Sequence, residues 1–233
     1  MTSPDLDPRT ARPAAPAAEG AHERPVALVT GSESGIGRAT AVALAADGFD
    51  LGLCWYADED EVQETARQVR DAGATAVTRR VEVPDLDALV PAVDALAAEL
   101  GRVDALVNVA GTGTSTPFLD LDLATWREVL TTDLDGPFVL TQAAARHVIV
   151  GGRGGRVVNV TSVHEHAPRV GAAPYCAAKG GLGLLTPVLA GRRRHAPDGT
   201  DGRLAPHLGR LAPPVTRARR ADPTDPTDGR TAP

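Results

Sequence analysis

Between residues 26 and 190 the chain alternates short β-branched or aliphatic runs with longer helical patterns. The runs are VALVT (26–30), LGLC (51–54), VTRRV (77–81), ALVNV (105–109) and RVVNV (156–160). The helical patterns between and after them cover Ile36–Asp47, Glu59–Ala72, Asp85–Leu100, Ala124–Val150 and Pro174–Ala190. Near-continuous apolar strands joined through helices predict an α/β chain, a doubly wound parallel sheet covered by helices on both faces. Proline lacks an N–H and clashes with the preceding turn, so Pro91 is expected to kink the third helix or delay its start. Pro137 does the same to the fourth.

Composition sets how much of the chain this architecture can include. Residues 1–24 are rich in proline, alanine, aspartate and arginine, with Leu6 as the one sizeable aliphatic, and read as a disordered leader. Residues 191–233 hold seven prolines, nine arginines and five aspartates, but only Leu204, Leu208, Leu211 and Val215 as large apolar side chains. Ordering costs roughly 1–2 kcal/mol per residue, more than four such side chains offset, so this tail is also expected to be disordered. The foldable core is therefore residues 25–190. No run approaches 18 consecutive apolar residues, which leaves no membrane-span candidate, and the acidic start MTSPDLDPRT does not resemble a secretory signal. Cys54 and Cys176 cannot build a disulfide framework, and a cytoplasmic location is expected.

The first strand runs into Thr30-Gly31-Ser32-Glu33-Ser34-Gly35-Ile36-Gly37 and then into a helix. Glycines at a strand–helix turn let the backbone approach a pyrophosphate, which then rests on the helix N-terminus. The spacing is G-x-x-x-G-x-G rather than G-x-G-x-x-G. After the second strand an acidic residue would bind an adenosine ribose hydroxyl, and an arginine a 2′-phosphate. Cys54-Trp55-Tyr56-Ala57 offers neither, so NAD and NADP both stay open, with a lean to NADP from the missing acid. Asp58, Glu59, Asp60 and Glu61 read as the acidic start of the next helix.

Of 24 basic residues only Lys179 is a lysine, in Tyr175-Cys176-Ala177-Ala178-Lys179. Positions i and i+4 near a helix start share one face. A free tyrosine, with a pKa of about 10, holds its proton too tightly for exchange near neutral pH, and a nearby ammonium favours the phenolate. Ser162 follows the fifth strand and Asn108-Val109-Ala110-Gly111 ends the fourth, on the rim where open parallel sheets bind ligands.

Together TGSESGIG, NVAG, Ser162 and YCAAK resemble the short-chain dehydrogenase/reductase family over about residues 25–190. The stretch NVTSVHEHAPRVGAAPYCAAKGG is similar to members of the glucose dehydrogenase and 3-oxoacyl-carrier-protein reductase kind. The resemblance implies a Rossmann-like fold and hydride transfer between NAD or NADP and a small carbonyl or alcohol. By the same resemblance Gly31, Ser34, Gly35, Ile36 and Gly37 hold the pyrophosphate, and Glu82 and Val83 border the adenine. Asn108, Ala110 and Gly111 line the cofactor. Tyr175 exchanges the proton, Ser162 holds the carbonyl oxygen, and Lys179 binds the nicotinamide ribose and supports the tyrosine. A homo-oligomer through the helices after the fourth and fifth strands is a further expectation.

Three departures stand out. Asp133 replaces the family's asparagine, whose backbone serves a lysine-linked water relay, and is expected to weaken that relay at worst. Glu82 replaces an aspartate. Beyond Pro187 the family's sixth strand, its P-G turn and its last strand have no counterpart. That break raises a second reading, a non-catalytic dinucleotide-binding remnant. The arginine clusters 192–194 and 217–220 are interleaved with aspartates and lack aromatics, which argues against a nucleic-acid site. His164-Glu165-His166 has no third ligand nearby and reads as a polar loop at the substrate mouth rather than a metal site; Cys176 reads as packing. A change of reading frame would explain the composition break. If it occurred, translating the other two frames downstream of codon ~186 yields a G-I-R-V-N-like strand followed by P-G. Finding neither counts against it.

Overall fold

The computed structural model describes residues 24–191. The parts of the expected leader and tail beyond these bounds lie outside the described residues. Arg24, assigned to the leader, is tied to the core: its guanidinium donates to the carbonyls of Gly73 (3.1 Å) and Ala45 (3.2 Å).

Five strands form one parallel sheet: β1 (Val26–Val29), β2 (Asp50–Trp55), β3 (Ala76–Arg80), β4 (Ala105–Asn108) and β5 (Arg156–Asn159), in the order β3-β2-β1-β4-β5. Helices α1 (Gly35–Ala46), α2 (Glu59–Asp71), α3 (Leu86–Leu100), α4 (Leu123–Leu130), α5 (Gly136–Gly151) and α6 (Ala173–Gly191) complete the fold. This is the expected Rossmann-like α/β architecture. Among the described residues β5 is paired on one side only, by β4.

Alternation along β1 divides the core in two. Val26 and Leu28 point to one face and pack with Leu89, Val93, Leu96 and Leu100 of α3 and Leu140 and Val148 of α5. Ala27 and Val29 point to the other and pack with Ala41 and Ala45 of α1 and Val62, Ala66 and Val69 of α2. A strand whose successive side chains are all buried must be covered on both faces, which is why this sheet carries helices on each. The acidic run after β2 has the structural role expected of it, with Asp58 capping α2 through Glu61 N at 3.0 Å.

The prolines behave differently from one another. Pro91 neither delays nor ends α3, which begins at Leu86 and runs through it. Pro187 likewise lies inside α6, which continues to Gly191, so the helix does not stop at that proline. Each removes one N–H from a helix that tertiary packing already holds. Pro137 does mark a break. The expected single helix over 124–150 is α4 and α5 joined by a π-helical turn, Thr131–Asp135, with Pro137 in the first turn of α5.

Leu96 is fully buried between α3 and the sheet. Leu96→Ala is expected to lower stability by about 2–5 kcal/mol in urea unfolding of the full chain. A loss under about 1 kcal/mol would contradict this packing.

Candidate active site

The order β3-β2-β1-β4-β5 makes the chain wind one way from β1 to β3 and the other way through β4. The loops leaving β1 and β4 therefore part and open a crevice at the carboxyl ends of the strands. Thr30 ties the two loops at their base, its Oγ1 accepting from the amides of Val109 (2.9 Å) and Ala110 (3.0 Å). Two adjoining cavities occupy the crevice, of about 530 and 610 Å³, and share Ile36, Val109, Gly111 and Thr112 as common wall.

The first cavity is walled by the glycine loop, the ends of β2 and β3, and the loop after β4. Gly31, Ser34, Gly35 and Ile36 line it, as do Glu82, Val83, Ala110 and Gly111. Gly37 lies behind the loop, where a Cβ would stand 1.9 Å from the Gly31 carbonyl oxygen, so the turn can close only on glycine. Ser34 caps α1 in an extended conformation without giving its side chain to the helix, and the first turn of α1 carries no carboxylate. The positive end of the helix dipole is thus open to the cavity. Cys54 also lines the wall; burial pushes its thiol up to about 12, opposed by the Arg79 charge and reinforced by Glu33, so it packs rather than reacts.

The second cavity brings together Asp133, Ser162, Tyr175 and Lys179, from the π turn, the loop after β5 and α6. Lys179 is almost fully buried, and its Nζ lies 3.0 Å from Asp133 Oδ1 and donates to the Val160 carbonyl at 3.1 Å. The same Nζ stands 5.6 Å from the centre of the Tyr175 ring. Asp133 Oδ2 accepts from the Thr112 amide at 2.9 Å. Burial pushes the Asp133 carboxyl above its ordinary range, opposed by the Lys179 ammonium and the Thr112 N–H. Gly111 completes the enclosure, since a Cβ there would meet Asp133 Oδ1 at 2.5 Å.

Ser162 begins a 3₁₀ turn, and its Oγ accepts from His164 N at 3.2 Å, which leaves the hydroxyl proton free to donate elsewhere. His164 packs edge-on to Tyr175, ring centres 6.3 Å apart, and its Nδ1 donates to the Ala167 carbonyl at 2.8 Å. His166 pairs with Glu165 at 2.8 Å.

Two residues of the sequence-derived set line neither cavity: Gly37, packed behind the glycine loop, and Asn108. Asn108 donates through Nδ2 to Asn159 Oδ1 (2.8 Å) and Thr141 Oγ1 (3.3 Å), and Asn159 in turn donates to Thr186 at 3.0 Å. It joins β4, α5, β5 and α6 from behind the crevice. Two residues were not picked out by sequence reasoning. Thr30 ends the first strand as an ordinary β-branched residue. Glu33 lies inside the glycine loop and lines the first cavity, and its one sequence signal was its place between Gly31 and Gly35.

The short chain dehydrogenase family model matches residues 25–196, and the chain belongs to that family. An uncharacterised oxidoreductase of Escherichia coli K12, YohF, is 45% identical over 165 residues, covering 71% of this chain and 65% of that protein. The acetoin dehydrogenase YohF from Salmonella typhimurium superposes with a TM-score of 0.71 at 46% identity, over 72% of this chain and 67% of that one. Two further structures match at a TM-score of 0.69. Carveol dehydrogenase from Mycobacterium avium in complex with NAD is 32% identical over 72% of this chain and 65% of its own. A metagenomic short-chain oxidoreductase in complex with NADP is 31% identical over 73% and 76%. The chain spans slightly less than two thirds of the length of the curated relatives it matches. No helix among the described residues is long and apolar enough to cross a membrane.

Removing one member of a buried ion pair strands the other charge, at a cost of about 3–5 kcal/mol. Asp133→Ala is expected to show such a loss in urea unfolding, and Asp133→Asn a smaller one, because the amide oxygen still accepts from Thr112. Equal, negligible losses would remove the pair from its structural role.

Proposed function

We propose that this chain is an NAD(P)-dependent oxidoreductase acting on a small alcohol or ketone, with Tyr175 as the proton donor and acceptor. The observation that carries this reading is the Tyr175–Lys179 pair on one face of α6, set in a cavity continuous with the glycine-loop cavity. The crevice suits a dinucleotide in two respects: an uncapped helix end faces one cavity, and the shared wall lets one elongated ligand run through both.

When bound, the nicotinamide supplies the hydride or takes it up. Tyr175 Oη would give its proton to the substrate's carbonyl oxygen in the reducing direction and take it back in alcohol oxidation. Ser162 holds the substrate oxygen with the hydroxyl proton that His164 N leaves free. An ammonium has three donors, and Lys179 directs two at Val160 and Asp133. The third remains for a ribose hydroxyl or water beside Tyr175.

The acetoin dehydrogenase named among the similar structures points to small hydroxyketones within the substrate class. Absorbance at 340 nm with NADH and NADPH against small ketones, diketones and alcohols, acetoin included, is expected to show turnover. Tyr175→Phe should reduce it by about 10²-fold or more, the usual weight of a positioned acid or base, while nucleotide binding persists. Unchanged turnover in Tyr175→Phe would remove the tyrosine from the chemistry. Nucleotide binding with no turnover of any substrate would instead support the non-catalytic reading.

A further inference from the structure

The residues after β2 contain no acid or base suited to the adenosine ribose, yet a carboxylate stands at that place. Glu33 reaches out of the glycine loop and lines the first cavity, and its Oε1 accepts from the amide of Tyr56 at 3.2 Å. Tyr56 is the first residue beyond β2, the position from which dinucleotide-binding sheets commonly present their ribose-binding acid. Glu33 Oε2 is buried and has no hydrogen-bond partner. The oxygen open to a ligand is Oε1, and a carboxylate oxygen can accept a second hydrogen bond beside the one from Tyr56 N.

The charges around it point the same way. Glu33, Glu82 and Glu128 line the cavity, and among the described residues no arginine or lysine does. The neighbouring arginines are engaged. Arg38 donates to the Glu33 carbonyl, the Glu61 carboxylate and Thr65 Oγ1. Arg79 pairs with Glu99. Arg80 lies over the Tyr56 ring at 5.0 Å and donates to the Tyr56 carbonyl at 3.2 Å. A ribose 2′-phosphate placed here would meet like charge from Glu33 and Glu82, whereas a free 2′-hydroxyl can donate to the Glu33 carboxylate.

Building on the dinucleotide reading above, we propose that Glu33 binds the adenosine ribose hydroxyl and makes the site selective for NAD(H) over NADP(H). The acid arrives from the glycine loop instead of from the end of β2, which reverses the lean to NADP drawn from Cys54-Trp55-Tyr56-Ala57. Calorimetric titration of the full chain tests this without turnover, using NADH, NADPH, ADP-ribose and its 2′-phosphate. The wild type is expected to bind the unphosphorylated member of each pair at least about tenfold tighter, a difference of about 1.4 kcal/mol. Glu33→Gln keeps an oxygen for Tyr56 N and removes the charge, and should bring each pair to within a few-fold. The wild-type ratio stands as a test by itself if that variant does not fold. Equal or tighter binding of the phosphorylated ligands by the wild type overturns the proposal; loss of that binding in Arg80→Ala would then assign the phosphate to Arg80. If no ligand of either pair binds, the dinucleotide reading falls, and this inference with it.

Discussion

The burial of one ammonium organises the half of the crevice that holds Asp133, Ser162, Tyr175 and Lys179. Lys179 is buried beneath the loops after β4 and β5, and a lone cation there would be prohibitively costly. Asp133 meets it at 3.0 Å, and Asp133 is itself held by the Thr112 amide. To stand there, Asp133 occupies a π-helical turn between α4 and α5, a local widening that helices often adopt at functional sites. Pro137 follows four residues later and could not have donated to the Asp133 carbonyl in a regular helix. The interruption of the long helix and the charge balance of the site are therefore one feature.

The other half depends on where the sheet changes direction. Thr30 fastens the loops after β1 and β4 at the floor of the crevice, and beyond that point they diverge. The glycine loop turns down one side and Val109–Thr112 runs along the other. Asn108 and Asn159 brace the same strands from beneath, with Thr141 and Thr186 extending the network into α5 and α6. A floor braced in this way holds the side chains above it in place.

Much of this was legible from residue order. The β-branched runs and their spacing predict the five strands, and the near-continuous burial of β1 and β2 follows from that pattern. The i, i+4 spacing of Tyr175 and Lys179 predicts their common face. Asn108 shows where such reading fails. It belongs to a motif on the right rim, but strand pleating sends its side chain away from the crevice while the neighbouring Val109 and Ala110 line it. The late start allowed for at Pro91 does not occur, because a single lost hydrogen bond is small beside the packing of an entire helix.

What the sequence by itself determined is the alternation of strand and helix, the glycine loop, and the isolated lysine four residues after a tyrosine. All of these are local, set by periodicity and by what each residue type permits its own backbone to do. What only the tertiary structure decided is the destination of two carboxylates. Glu33 meets the amide of Tyr56, 23 residues away, and Asp133 meets Lys179 from a different helix. Such pairings depend on how strands are ordered and how far helices are pushed apart. Charge partners across a fold leave no periodic trace in the chain, because they are created by packing rather than by spacing.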